Sequence, residues 1–303
     1  MRILVLFNPI SGGGRAERAA SEISRELRAA CHEVTTATTQ PKPASEWLDP
    51  QLAGVELLVV AGGDGAMRLA SAAAVRTGTP VYHLPLGTEN LFAREFGMDR
   101  RVSTLLNAIA THDIRTVDVA LANGEQFLLM ASVGLDAEVV HDLASCRGAS
   151  ISHSSYLAPI WRQLRLWRPC CLEITVDGRR IDNGGAGFVV VVNCRQYGWR
   201  LNPASSASMF DQLLDVVYFP ARSRMQLLHW AARCRFNRHV GTKGLAYERG
   251  RHVQVRSQAF CRYQLDGDPA GPAKCSTPTM PLGLDIRLVP SALRVLVPAA
   301  AEK

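Results

Sequence analysis

The chain has 303 residues, 47% hydrophobic and 20% charged, a globular composition long enough for two cores, which excludes a disordered protein. Its longest apolar run, Phe188 to Val192, is far short of the ~20 residues a bilayer-crossing helix needs. The net charge of +7 suits polyanions, whether nucleotides, anionic lipid surfaces or nucleic acid, and chooses none of them.

Arg2 is followed by five apolar residues that Asn8-Pro9 cut short, too few for a leader core of ~7–15 residues. Ile3 to Phe7 is therefore expected as a buried first strand and the protein as cytoplasmic. Arg15 to Ala30 has helical composition, with Ala19, Ile23 and Leu27 four apart. Glu33 to Ala37 is a weak strand, and Val55 to Val60 is a near-continuous apolar run of the kind buried on both faces. Met67 to Val75 is helical, Pro80 to Leu84 is a short strand, and Asn90 to Phe96 begins a helix. This alternation predicts an α/β N-terminal domain with a doubly wound, mostly parallel sheet, over residues 1–115.

From residue 116 to 303 the pattern changes to a β-rich, largely antiparallel domain. Val117 to Ala122, Phe127 to Ser132, Leu172 to Val176, Gly187 to Asn193, Leu214 to Phe219, His252 to Arg256 and Leu284 to Leu288 are short strands. Asn123-Gly124 and Asp177-Gly178 are turns, the first closing a hairpin. Helices are expected near 137–166 and 222–238. A last strand near 292–298 has no assigned sheet and could return to the first domain. The two domains are expected to meet at a cleft. Cys31, Cys146, Cys194, Cys234, Cys261 and Cys275 are scattered, Cys170-Cys171 are adjacent, and no C-x-x-C occurs. All eight are expected as reduced, mostly buried thiols.

Three loops carry chemistry. Leu57 to Ala61 feeds Gly62-Gly63-Asp64-Gly65 and then a helix, an anion site of backbone N–H groups and helix dipole. Asp64 in such a loop either meets Mg²⁺ or orients the attacking hydroxyl, or caps a helix. Asn8-Pro9-Ile10-Ser11-Gly12-Gly13-Gly14 and Pro85-Leu86-Gly87-Thr88-Glu89-Asn90 follow two other strands. In a parallel sheet all three loops share the edge where doubly wound folds bind ligands.

N-P-x-S-G, then G-G-D-G about fifty residues on, then P-L-G-T-x-N about twenty-five further, resembles the diacylglycerol kinase catalytic-domain family. That family includes diacylglycerol, sphingosine and ceramide kinases and bacterial soluble lipid kinases. Ser132 to Ala137, Asp211 to Val216 and Asp266-Gly267-Asp268 agree with its later motifs. The resemblance implies an ATP-dependent lipid kinase with ATP and Mg²⁺ as cofactors. It places nucleotide contacts at Asn8, Ser11, Gly12, Thr38, Gly62, Gly63, Asp64, Gly65, Ala66, Arg68, Gly87, Thr88 and Asn90. Catalytic roles fall to Asp64, Asp266 and Asp268, with Asp268 as proton acceptor. A structural metal would sit at Asp211, with the carbonyls of Ser208 and Leu213 and with Asp215 beside it; otherwise Asp211 and Asp215 are a turn and a strand-end carboxylate.

Three departures stand out. Ala66-Met67-Arg68-Leu69 replaces the usual T-x-N-E, Asp268 replaces Glu, and Glu89-Asn90-Leu91 replaces small-Asn-Asp. A catalytically impaired nucleotide- or lipid-binding protein and an NAD-kinase-like enzyme are the alternatives. The expected partner is a lipid presented at a membrane surface, with peripheral contact on the inner face and a homodimer left open. Dispersed basic residues and no recognition module argue against nucleic acid. Trp161-Arg162-Gln163-Leu164-Arg165-Leu166-Trp167-Arg168 is either an interfacial segment or a helix packed on the second domain.

Overall fold

A computed structural model describes residues 1–9, 15–145, 157–182, 184–271 and 282–299. The chain divides into two compact units. One holds Met1–Val117 and the C-terminal stretch from Ser291; the other runs from Asp118 through Pro290.

The first unit opens with β1 (Arg2–Phe7), α1 (Arg15–Ala29), β2 (Glu33–Thr38), a single helical turn α2 (Ala44–Trp47), and β3 (Leu57–Gly62). Then come α3 (Asp64–Thr77), β4 (Val81–Pro85), α4 (Leu91–Glu95) and α5 (Val102–Thr111). Its sheet runs in the order β2-β1-β3-β4, all parallel. Every residue of β3 and β4 is buried, which is why β3 appears in the sequence as an unbroken apolar run and β4 as one interrupted only by His83. Ala16, Ala20, Ile23 and Leu27 form the buried stripe of α1.

The second unit contains most of β5 (Ile114–Ala122), then β6 (Glu125–Phe127), β7 (Met130–Val133), α6 (Leu135–Ser145) and α7 (Leu157–Leu166). It continues with β8 (Cys170–Cys171), β9 (Glu173–Val176), β10 (Arg179–Arg180), β11 (Ala186–Val192), β12 (Leu214–Pro220) and α8 (Arg224–Arg235). It ends with β13 (Ala246–Gly250), β14 (His252–Ser257), β15 (Tyr263–Leu265), β16 (Asp268–Ala270) and the first part of β17 (Leu282–Leu296). One antiparallel sheet runs β13-β12-β11-β7-β15-β16, and β9 and β17 flank β14 in another. Val189 and Val191 face a core shared with Ile174, Val253, Val255 and Ile286. Val190 and Val192, one residue out of phase, face the other way onto Trp230 and Cys234 of α8. The last part of β17 belongs to the first unit, where Val295 pairs in parallel with Val81 of β4.

The parallel α/β unit and the antiparallel β-rich unit are the expected architecture. The expected state of the cysteines is not met. Cys170 and Cys261 form a disulfide, and Cys31 and Cys171 are exposed, leaving Cys194 and Cys234 as buried thiols. Spacing hides the pair because pairing registers create it. Cys170 lies opposite Gly187 on β11, while Cys261 precedes Tyr263, whose partner Val133 faces Val189. Cys146 and Cys275 lie outside the described residues.

Candidate functional site

In the first unit the parallel registers bring the ends of β1, β3 and β4 to one edge. Phe7 pairs with Ala61, and Gly62 with Pro85. Asn8 leaves from this edge, and Thr38, the exposed last residue of β2, lies opposite Phe7. Ser11 and Gly12 lie outside the described residues.

The other two loops touch backbone to backbone. A Cβ on Gly87 would lie 2.6 Å from the Gly63 Cα, and one on Gly63 would lie 3.2 Å from the Gly87 Cα. Neither position has room for a larger residue. Gly63 is the N-cap of α3, so the amides of Asp64, Gly65 and Ala66 form the end of a helix that lacks intrahelical partners. The turn is tight at Gly62 also, where a Cβ would lie 2.8 Å from that of Ala66. Arg68, half-exposed, follows in the same helix, its carbonyl accepting from the Ser71 hydroxyl at 2.8 Å.

Asp64 does not cap its own helix. Its carboxylate accepts from the amides of Leu91 (3.0 Å) and Phe92 (3.1 Å), and so caps α4 in the Pro85–Asn90 loop. Burial pushes the Asp64 carboxyl up, and these two bonds pull against it. Asn90 closes its loop by a reciprocal pair: its Oδ1 accepts from Gly87 N and its Nδ2 donates to Gly87 O, both at 2.8 Å. Asn90 has φ 49°, a left-handed value that Asn tolerates. Thr88 is exposed at the tip, and Glu89 pairs with Arg94 at 3.1 Å, so the added carboxylate is neutralised within its own turn. Each Asp64 oxygen keeps a second lone-pair direction open to a donor or a cation, and a cation bound there would offset the cost that burial places on its charge.

His83 on β4, which the sequence analysis passed over, supports this edge from beneath. It is fully buried, burial lowers its pKa to about 4, and its Nε2 lies 3.0 Å from the Gly62 carbonyl. A neutral ring at that distance donates from Nε2, fixing the carbonyl at the head of the glycine turn.

In the second unit Asp266-Gly267 is the two-residue turn of the β15–β16 hairpin, with φ of 52° and 82° and Leu265 paired with Asp268. Positive φ at both central residues is the type I′ geometry that Asp-Gly favours. The Asp266 carboxylate accepts from the amides of Leu128 (2.8 Å), Leu129 (2.8 Å) and Met130 (3.0 Å). It holds the backbone of that segment as a structural clamp. Gln264 braces the same turn. Its Oε1 accepts from Gly267 N at 2.8 Å, and its Nε2 donates to Asp136 at 3.0 Å. Asp136 also accepts from Ser132 (2.6 Å) and Tyr197 (2.8 Å). Asp268 is therefore presented, half-buried, by a turn anchored at both preceding residues.

The four residues assigned to a structural metal meet something else. Asp211 pairs with Arg249 and accepts from Leu213 N at 3.1 Å, while Ser208 Oγ accepts from Phe210 N at 3.2 Å. Asp215 is buried, with Arg249 Nε at 3.3 Å and the Tyr247 hydroxyl on its Oδ1. Arg249 is thus the cation that lies between the two carboxylates. Among the described residues, no cluster of three or more His, Cys, Asp or Glu could hold one.

The model of the diacylglycerol kinase catalytic domain matches residues 2–122. The model of the YegS C-terminal NAD kinase beta sandwich-like domain matches residues 130–297. A diacylglycerol kinase of Bacillus subtilis is 25% identical over 89% of this chain and 90% of its own length. One of Mycobacterium tuberculosis is 28% identical over 98% and 95%. A solved Bacillus anthracis structure, provisionally assigned as a diacylglycerol kinase, superposes with a TM-score of 0.72 at 18% identity, covering 98% of this chain and 95% of its own. Two matched models in the expected order, and curated relatives aligned nearly end to end, establish that the chain belongs to the diacylglycerol kinase catalytic-domain family.

Proposed function

We propose that this protein transfers the terminal phosphoryl group of ATP to the hydroxyl of a lipid presented at a membrane surface. The observation that carries the reading is the contact of Gly63 with Gly87 at the N-terminal end of α3. Two loops stripped of side chains at a helix N-terminus let phosphate oxygens reach main-chain amides. Asn8, Thr38, Ala66, Arg68 and Thr88 surround that edge in the first unit.

The acceptor hydroxyl forms a bond to the γ-phosphorus, and the bond from that phosphorus to the β,γ-bridging oxygen breaks. ADP leaves with the electron pair, and Asp268 takes the hydroxyl proton. A carboxylate is a weak base, but it serves as a late acceptor because the hydroxyl acidifies as the new bond forms. Mg²⁺ held at Asp64 would neutralise charge on the β and γ phosphates. Positioning and charge neutralisation supply most of the rate.

Incubation with labelled ATP and a mixed lipid extract, followed by chromatography, tests this directly. Label should appear in a phospholipid and vanish in the Asp268→Asn variant. Label found only in inorganic phosphate, or transferred to NAD and to no lipid, overturns the proposal.

A further inference from the structure

The positive charge of this protein is not spread evenly. Residues 157–172 and 216–247 together carry nine arginines and lysines and no aspartate or glutamate. The whole chain is +7, so everything outside these segments is net −2. Both segments belong to the second unit, and they meet. The Arg224 side chain donates to the carbonyl of Arg165, joining the start of α8 to the end of α7. A pocket of about 320 Å³ at the junction is lined by Trp167, Pro169, Arg222, Ser223, Arg224 and Met225.

Large apolar side chains stand in water on these same two segments. Trp161 is 66% exposed, Leu166 64%, Met225 72% and Phe236 70%. Helix α8 explains the last two. Leu227, Trp230 and Cys234 form its buried stripe. Met225, Leu228, Ala232 and then Phe236 recur at helical spacing on the opposite side. A helix with one apolar stripe in the core needs no second stripe for folding.

We propose that this face docks the protein on an anionic lipid bilayer, the arginines meeting headgroup phosphates while Trp161, Leu166, Met225 and Leu228 enter the headgroup–acyl boundary. The inference rests on the lipid-acceptor reading for its purpose, because an acceptor dissolved in a membrane must be met there. Charge alone would suit nucleic acid equally. Exposed leucine and methionine among the arginines favour the bilayer, which offers them an apolar medium where a phosphate backbone does not.

Flotation of the full-length protein with vesicles tests the proposal without turnover, so its outcome is separate from that of the kinase assay. Wild type should float with equimolar phosphatidylcholine and phosphatidylglycerol and stay behind with phosphatidylcholine alone, and salt should weaken the binding. Removing one basic contact near an anionic surface costs about fivefold. The Arg168→Glu/Arg222→Glu and Leu166→Asp/Met225→Asp double variants should each bind at least about tenfold more weakly. Both should keep the wild-type melting temperature and activity on detergent-dispersed lipid. If a double variant melts early, Trp161→Phe decides: the blue shift of tryptophan emission on anionic vesicles should shrink. Equal flotation with neutral vesicles, wild-type binding by both double variants, or an unchanged blue shift overturns the docking face. So does competition by single-stranded DNA that depends on the arginines while Leu166→Asp/Met225→Asp binds vesicles normally.

Discussion

The glycine edge of the first unit and the Asp266–Asp268 turn of the second solve one problem in two ways. Each needs a carboxylate near the chemistry and a backbone held still. In the first unit Asp64 holds the backbone itself, through the amides of Leu91 and Phe92, while it is also the candidate Mg²⁺ ligand. In the second unit the tasks are divided. Asp266 spends its carboxylate on three amides and leaves Asp268, two residues on, as the proposed proton acceptor. Divided roles can be separated by mutation, and merged ones cannot.

The sharpest way to break the comparison is therefore in the second unit. Asp266→Ala strands three amides in a buried site, and each unsatisfied group costs ~1–3 kcal/mol. With partial rescue by water, the loss should be about 3–5 kcal/mol in denaturant unfolding. Asp268→Asn should instead lower the rate about 10²- to 10⁴-fold and change unfolding free energy by less than about 1 kcal/mol. Equal stability losses in the two variants would show that the division of labour is false. Asp64→Asn in the first unit should lose both quantities together, because the amide keeps one acceptor oxygen and turns a donor toward the second N–H.

Gly87→Ala tests the glycine edge alone. Its Cβ would meet the Gly63 Cα at 2.6 Å, so one loop must move by several tenths of an ångström or more. Displacements near 1 Å cost ~100-fold in rate. Phosphoryl transfer should fall by about that factor, with the nucleotide KM rising as well. An unchanged rate would remove the two-loop phosphate site.

These two regions also show what was legible. The strands of the first unit could be found because burial on both faces leaves a largely apolar run, as in Leu57 to Ala61 and, apart from His83, Val81 to Leu84. The β5–β6 hairpin followed from Asn123-Gly124, whose φ values of 48° and 84° are those of a type I′ turn. Asp266-Gly267 carries the same signature, but its place in an Asp-Gly-Asp triplet draws attention to its chemistry, and nothing local marks the clamp beneath the hairpin. Strand β13 left little trace because Glu248 and Arg249 are exposed and its apolar residues are few. Gln264, Asp136 and His83 could not be placed from the sequence at all. Their partners lie 3, 128 and 21 residues away, and a lone polar residue, in a strand as for Gln264 and His83 or in the first turn of a helix as for Asp136, looks the same whether it is braced or idle.

His83 gives a pH prediction for the first unit. Its pKa falls from an ordinary 6.5 to about 4 through burial. The native ring stays neutral while the unfolded chain takes up a proton. Its contribution is whole above pH 6.5 and is lost as pH falls from there to about 4, by ~3 kcal/mol across the window. His83→Gln should flatten the stability profile in that range, read by urea unfolding at successive pH values. An equally steep profile in the variant would assign the acid sensitivity elsewhere.

The smallest expected effect concerns Arg249, where the second unit uses an internal cation in place of a metal. A guanidinium between Asp211 and Asp215 needs no ion from solution, so the melting temperature should shift by less than about 1 °C between EDTA and millimolar Mg²⁺ or Ca²⁺. Arg249→Ala leaves the buried Asp215 with the Tyr247 hydroxyl as its remaining partner, and burial already pushes that carboxyl up. Because Arg249 and Asp211 are partly exposed, the cost is tempered by solvent, about 1–2 kcal/mol. The vacated space between two carboxylates then has the charge a divalent cation prefers. Added Ca²⁺ or Mg²⁺ should recover part of the loss in the variant while leaving wild type unmoved. A wild-type protein that melts several degrees lower in EDTA would mean that the arginine shares its place with a metal, and the contrast between a self-neutralised site in this unit and an ion-accepting one at Asp64 would fail.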